Sequence, residues 1–338
     1  MDLATVKKNA KERLQGYCRV CPVCDGRVCS GEVPGMGGAG TGSGFRANIE
    51  SLAKYRFNMQ TVHNVTSPDT SIVLWGERLS LPVLAAPMTG VSYNMGGKMT
   101  EQEFIDEVIA GCTLAGTVGM TGDGAEPGMY ESGIQAIAAQ KGKGIAIIKP
   151  RSQEEIIKRI HQAEAAGALA LGMDIDGAGL ITMALKGQPV SPKTVGQLKE
   201  VISATKLPFI LKGIMTPKEA ELAVEAGAKG IVVSNHGGRV MDFTPGTAEV
   251  ISGIVQKVKG KLTIFADGGV RTGADVLKFI ALGADAVLVG RPLVVGAFGG
   301  NREGVALLLN KMKNELIQTM ILTGTSTLKE VKRDILYN

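Results

Sequence analysis

The chain predicts a (β/α)8 barrel with an N-terminal cysteine- and glycine-rich extension. From Leu81 onward eight short apolar runs alternate with longer amphipathic stretches. The runs end in Gly, Pro or a polar residue, and several of the stretches close on a glycine. At 338 residues, 44% hydrophobic and 20% charged, the chain can bury a large core. A barrel needs about 250 residues, so residues 1–47 are assigned to the extension and 48–338 to the barrel. A doubly wound open sheet is the rival. The unbroken alternation, with a Gly-Ala step before the fourth, sixth and eighth runs, favours a repeated βα unit.

In order, the runs are "LPVLAAP", "GTVGMT", "GIAIIKP", "ALALGMDID", "LPFILKG", "GIVVSNHG", "LTIFADGG" and "AVLVGRP". Each reads as a parallel strand buried on both faces. Between them, "SQEEIIKRIHQAEAAG", "TPKEAELAVEAG" and "TGADVLKFIALG" carry helical periodicity and end on glycine. Barrel chemistry sits at the C-terminal ends of strands. The polar residues there are Lys149, Asp174 and Asp176, Lys212, Ser234 with His236, Asp267, and Arg291, which predicts that they converge on one mouth.

Net charge is +5, with 37 basic residues interleaved among 32 acidic ones, and aromatics are 4%. That pattern offers no base-stacking surface for nucleic acid. The opening "MDLATVKKNAKERLQGY" lacks a signal-peptide core, and no apolar run reaches the roughly 18 residues of a membrane span. The expectation is a cytoplasmic protein with no membrane or nucleic-acid partner.

"FADGGVRTGADV" follows the seventh run and leads into a helix, while "VGRP" follows the eighth. Loops at these two places form the common barrel phosphate site, where glycines let backbone N–H groups approach an anion. Arg271 and Arg291 add charge-assisted donors.

With these loops in view, "LPFILKGI", "VVSNHGGRVMD", "ADGGVRTGADVLKFIALGADAVLVGRP" and "IQTMILTGTSTLKEV" resemble the FMN-dependent 2-hydroxy acid oxidases and dehydrogenases, such as glycolate and lactate oxidases. Weaker similarity runs upstream to about Asn48. The resemblance implies FMN, with its phosphate held by the Asp267–Gly268–Gly269 loop, Arg271, Gly290 and Arg291. It implies Pro87, Met88 and Thr89 along the ring, Ser234 near it, and Lys212 beside its N1 and O2, where a cation stabilises negative charge. His236 would be the base that takes a proton from the substrate, Arg239 the carboxylate clamp, and Asp176 the carboxylate that stabilises the imidazolium. A homo-oligomer and an unidentified electron acceptor, O₂ or another, are further implications.

The chain departs from that pattern. The family's substrate-binding tyrosines before the barrel and after the third strand are absent. Lys149 and Arg151 stand where a flavin-contacting glutamine and the second tyrosine are usual, and Asp174 where a threonine is usual. The segment after the fourth run is short where relatives carry a long lid. Arg151 is therefore expected to add a second anion contact, for a substrate with another carboxylate or a phosphate.

Cys18, Cys21, Cys24 and Cys29 form a C-x2-C-x2-C-x4-C run. Its ligand chemistry suits an iron–sulfur cluster or zinc, and reduced loop thiols are the bland alternative. The "GMGGAGTGSG" that follows reads as a lid or phosphate nest near the barrel mouth. Two rival functions stay open: a flavin barrel isomerase like type 2 isopentenyl diphosphate isomerase, and a redox-responsive flavoprotein without turnover. A diphosphate substrate has no use for the His236 and Arg239 pair, which weighs against the first.

Overall fold

The computed structural model describes residues 1–337. All eight runs form strands: β1 (Val83–Ala85), β2 (Gly119–Thr121), β3 (Gly144–Ile148), β4 (Ala170–Asp174), β5 (Phe209–Ile214), β6 (Gly230–Val233), β7 (Thr263–Ala266) and β8 (Ala286–Val289). Each pairs in parallel with its sequence neighbours, and β8 pairs with β1 to close the barrel.

Strand periodicity divides the core in two. Ile145 and Ile147 of β3 cluster with Leu84, Met120, Ile210, Val232, Phe265 and Leu288, whereas Ala146 and Ile148 belong to the larger cluster shared with the helices. Each fully buried Ile, Leu or Phe contributes about 1.5–3 kcal/mol. A hairpin of Ile72–Leu74 with Glu77–Leu79 brings Leu74, Leu79 and Trp75 to the inner cluster, and the Trp75 ring stands 5.9 Å from Phe265.

The three expected helices form over Gln153–Ala165, Pro217–Ala226 and Gly273–Ala281. Thr216 caps the second from its side chain, Pro217 begins it, and Gly227 at φ +92° ends it. Thr272 and Asp275 form a capping box at the third, which fixes that helix N-terminus directly after the "DGGVR" loop.

The N-terminal residues pack against the barrel. Their helix, Leu3–Arg13, buries Val6 and Ala10, and Leu14 follows them into the core. Asn9 and Arg13 donate to the carbonyls of Gly299 and Phe298, just before the last helix, Arg291–Leu322, is interrupted at Gly300 and Asn301. A Cβ at Gly299 would lie 2.0 Å from the Val6 carbonyl oxygen, so this approach needs glycine. Among the described residues no helix is long and apolar enough to cross a membrane.

Candidate active site

The strand ends do converge. Lys149, Asp174, Lys212, His236 and Asp267 line one cavity, together with Pro87, Met88 and Thr89 from the loop after β1. Gly268, Gly269, Arg271, Gly290, Arg291 and Arg239 complete the predicted part of its wall. Ser234 and Asp176 do not line the cavity, and each is hydrogen-bonded to His236.

His236 has φ +59°, a conformation L side chains rarely adopt. It is held on both sides. Its N–H donates to Ser234 Oγ at 3.0 Å, and Ser234 donates onward to Asp267 Oδ2 at 2.8 Å. Its Nδ1 lies 3.1 Å from Asp176 Oδ1 and 3.6 Å from Asp174 Oδ1. Carboxylates only accept, so Nδ1 carries the proton and Nε2 is the basic nitrogen left for the cavity. Room for Asp176 comes from Gly213, at φ +103°, where a Cβ would lie 2.7 Å from the Asp176 carboxyl carbon. A register shift between Lys212 and Ile214 marks the same place in β5.

Asp174 bridges two lysines: Lys149 Nζ bonds one oxygen and Lys212 Nζ the other at 3.0 Å. Burial acts to raise its pKa, but the charges of His236, Lys149 and Lys212 outweigh burial and hold the carboxyl well below the usual range. Lys212 is the mirror case: burial opposes its charge, while Asp174, Asp176 and Asp267 raise its pKa above the ordinary lysine value. Burial lifts Asp267 above the usual carboxylate value despite the nearby Lys212.

Arg239 is aimed by the glycine-rich segment and Asn94. Its Nη1 donates to the Gly35 and Gly37 carbonyls and its Nη2 to Asn94 Oδ1 at 3.0 Å. Desolvation lowers its pKa to about 10, still charged at neutral pH. Arg291 donates from Nε to Met36 O at 2.7 Å and from Nη2 to Gly37 O at 2.8 Å, with its guanidinium 3.8 Å from the Phe45 ring centroid. The glycine-rich segment therefore lies at the barrel mouth. A Cβ at Gly238 would stand 2.2 Å from Phe45 N, so the second glycine of "NHGGR" is required by that segment's passage.

Two buried polar atoms in this cavity have no protein partner, Arg271 Nε and Asp267 Oδ1. An orphaned guanidinium N–H beside Gly268 and Gly269, at the N-terminal side of Gly273–Ala281, is a fitting place for a phosphate. The residues present fit FMN.

Arg151 corrects the expectation of a second anion contact. It does not line the cavity: Nε and Nη2 donate to Asp123 at 2.8 and 3.0 Å, Nη2 also to the Gly124 carbonyl, and Nη1 to Gln188 Oε1 at 2.9 Å. With its donors turned to the protein, it is a buried strut. Arg151→Ala is expected to leave substrate KM unchanged and to destabilise the fold by about 2–4 kcal/mol, because Asp123 keeps its burial and loses its main partner. Thermal unfolding beside steady-state kinetics checks both halves.

The four cysteines do not form a compact ligand set. Among the described residues the one group of three or more His, Cys, Asp or Glu ligand atoms within 4.8 Å of one another is Asp174, Asp176 and His236, already joined by hydrogen bonds and lysines. Cys18, Cys21, Cys24 and Cys29 instead line a second cavity. Burial pushes the Cys18 and Cys29 thiols up from the usual value.

Tyr93 and Asn94 escaped sequence reasoning. Both line the cavity, on a short helix, Val91–Asn94, whose first N–H groups donate to Glu101. Burial, then Glu101, push the Tyr93 hydroxyl up to about 12, so it stays a neutral donor. The missing family tyrosines were the only signal to look for a substitute, and nothing in "GVSYNMGG" says which face Tyr93 takes.

The family profile described as FMN-dependent dehydrogenase matches residues 35–184 and 177–338. A peroxisomal (S)-2-hydroxyacid oxidase of Arabidopsis thaliana is 30% identical over 333 residues, 88% of this chain and 89% of its own. Glycolate oxidase of Spinacia oleracea is 29% identical, covering 85% of each. Among solved structures, a mandelate oxidase superposes with a TM-score of 0.82 at 28% identity over 99% of this chain and 97% of its own. A flavocytochrome b2 does so at 0.78 and 28%, over 89% and 80%. By sequence and by fold, then, the chain belongs to the FMN-dependent dehydrogenase family, as an enzyme of the 2-hydroxy acid oxidase type.

Proposed function

We propose that the chain oxidises a 2-hydroxy monocarboxylate to the 2-oxo acid. The observation that carries this is the placing of His236, backed by Asp176, and Arg239 on one cavity wall. FMN, when bound, supplies the two-electron sink. The protein does the rest. Arg239 still has its Nε and part of Nη2 to offer a carboxylate, since its other donors go to Gly35, Gly37 and Asn94. His236 Nε2 takes the hydroxyl proton, and the resulting imidazolium is stabilised by Asp176 and Asp174 through Nδ1. Lys212 stays protonated and would offer a fixed positive charge to a flavin ring held along Pro87, Met88 and Thr89. With Arg151 withdrawn, a single carboxylate is the better-matched substrate class.

Tyr93, whose hydroxyl donates only to the weak acceptor Met129 Sδ at 3.6 Å, supplies the hydroxyl donor that the absent tyrosines would have given. Tyr93→Phe is expected to raise KM by about 3- to 10-fold, one neutral hydrogen bond's worth, with flavin content unchanged. The reading itself is tested by adding a panel of 2-hydroxy acids to the protein under anaerobic conditions. Bleaching of the flavin bands by one of them supports it, and bands that no acid bleaches refute it. Four cysteines that hold a metal centre, and a cytoplasmic homo-oligomer, complete the proposal.

A further inference from the structure

We infer that Cys18, Cys21, Cys24 and Cys29 hold an iron–sulfur cluster through which substrate electrons leave the protein, an inference that rests on the oxidation reading above. The first observation is the second cavity, about 450 Å³, lined by all four cysteines. This pocket opens to solvent and has all four thiols in its wall, so it has room for a cluster at the cysteines. Its wall is of mixed character: Phe45, Leu52 and Met312 are apolar, while Arg271 and Arg291 bring positive charge, which suits a buried anionic cluster.

The cysteine run favours a cluster over a single zinc. A single tetrahedral zinc gathers its thiolates to about 3.8 Å from one another, yet no three of the described ligand atoms among these cysteines come within 4.8 Å. A cubane takes one thiolate at each of four irons, so its ligands stand farther apart around a central volume. A C-x2-C-x2-C run followed by a fourth cysteine, all four lining one pocket, suits that arrangement.

The third observation is position. The two cavities share Met36, Gly269, Arg271 and Arg291 in their walls, and Arg271 reaches across, donating to the Cys24 carbonyl at 3.3 Å and to its Sγ at 3.5 Å. The same Arg271 has the orphaned Nε. A cluster there adjoins the flavin site through one layer of side chains.

The balance is simple. Oxidation breaks the C2–H and O–H bonds of the acid and forms C2=O, releasing two electrons and two protons. The electrons leave one at a time through the cluster, reducing two molecules of an external one-electron carrier protein. The protons pass to solvent, the hydroxyl proton by way of His236.

The full chain, purified anaerobically, is analysed for iron, sulfide, zinc and FMN, and examined by electron paramagnetic resonance before and after a 2-hydroxy acid and after dithionite. About four iron and four sulfide per chain, with a reduced-cluster signal that the acid elicits, is the expected result. Cys21→Ser/Cys24→Ser should lose that signal and at least tenfold of the rate of reduction of a higher-potential one-electron acceptor such as cytochrome c, while its flavin still bleaches with the acid. Bleaching in native protein that holds zinc or no metal overturns the cluster and leaves the oxidation reading standing. A cluster reduced by dithionite but never by an acid that bleaches the flavin overturns the electron route. If no acid bleaches the flavin, the oxidation reading fails and the route with it, whatever the iron content.

Discussion

His236→Asn is expected to lower kcat by about 10²–10⁴-fold with FMN content intact. The imidazole is the one cavity group whose Nδ1 is pinned by carboxylates and whose other nitrogen is thereby left basic. Asparagine keeps a side chain at the left-handed φ of +59°, where Asn is the best-tolerated replacement, so the backbone is preserved and the loss reports on proton transfer. The measurement is anaerobic single-turnover bleaching by stopped flow. A variant that bleaches at the native rate would remove His236 from the chemistry. Asp176→Asn should weaken the same step less, because Asp174 lies 3.6 Å from the same nitrogen.

Asp174→Ala is expected to destabilise the protein by about 3–5 kcal/mol, the cost of leaving a buried charge without its partner, and here two lysines are left. Lys149 and Lys212 share this one carboxylate. Its depressed pKa sets the sign of the pH effect: the stabilisation is fully present above the unfolded carboxylate value and is lost as pH falls through the lower folded value. Native protein should therefore lose this contribution only in strong acid. The variant should be weaker by a nearly constant amount from neutral pH down to the ordinary carboxylate range. Urea unfolding at several pH values checks this, and a variant as stable as native would show that the lysines find other partners.

The barrel was legible because each β/α unit writes a local pattern: an apolar run, a polar end, an amphipathic stretch and a glycine. The eight runs and the three helices stand where periodicity put them. The residues at strand ends were legible for the same reason, since closure of a parallel barrel brings every C-terminal end to one mouth. Arg151 shows the limit. Its place one turn beyond a strand end suggested a ligand, but whether a guanidinium turns to the cavity or to Asp123 depends on a partner 28 residues away. Tyr93 is the converse, since only the packing of a short helix against Glu101 brings it to the cavity.

By itself the sequence determined the barrel, the strand-end cluster and the Gly-Gly loop after β7 that leads into a helix, all consequences of patterns repeated along the chain. Tertiary structure decided what distant segments do to one another: the Gly35–Gly37 carbonyls that aim Arg239 and Arg291, the single aspartate between two lysines, and the cysteine cavity set against the flavin wall. Hydrogen bonds and charges act over a few ångströms of space without regard to separation along the chain. No local pattern records which carbonyl will face which guanidinium once the barrel has closed.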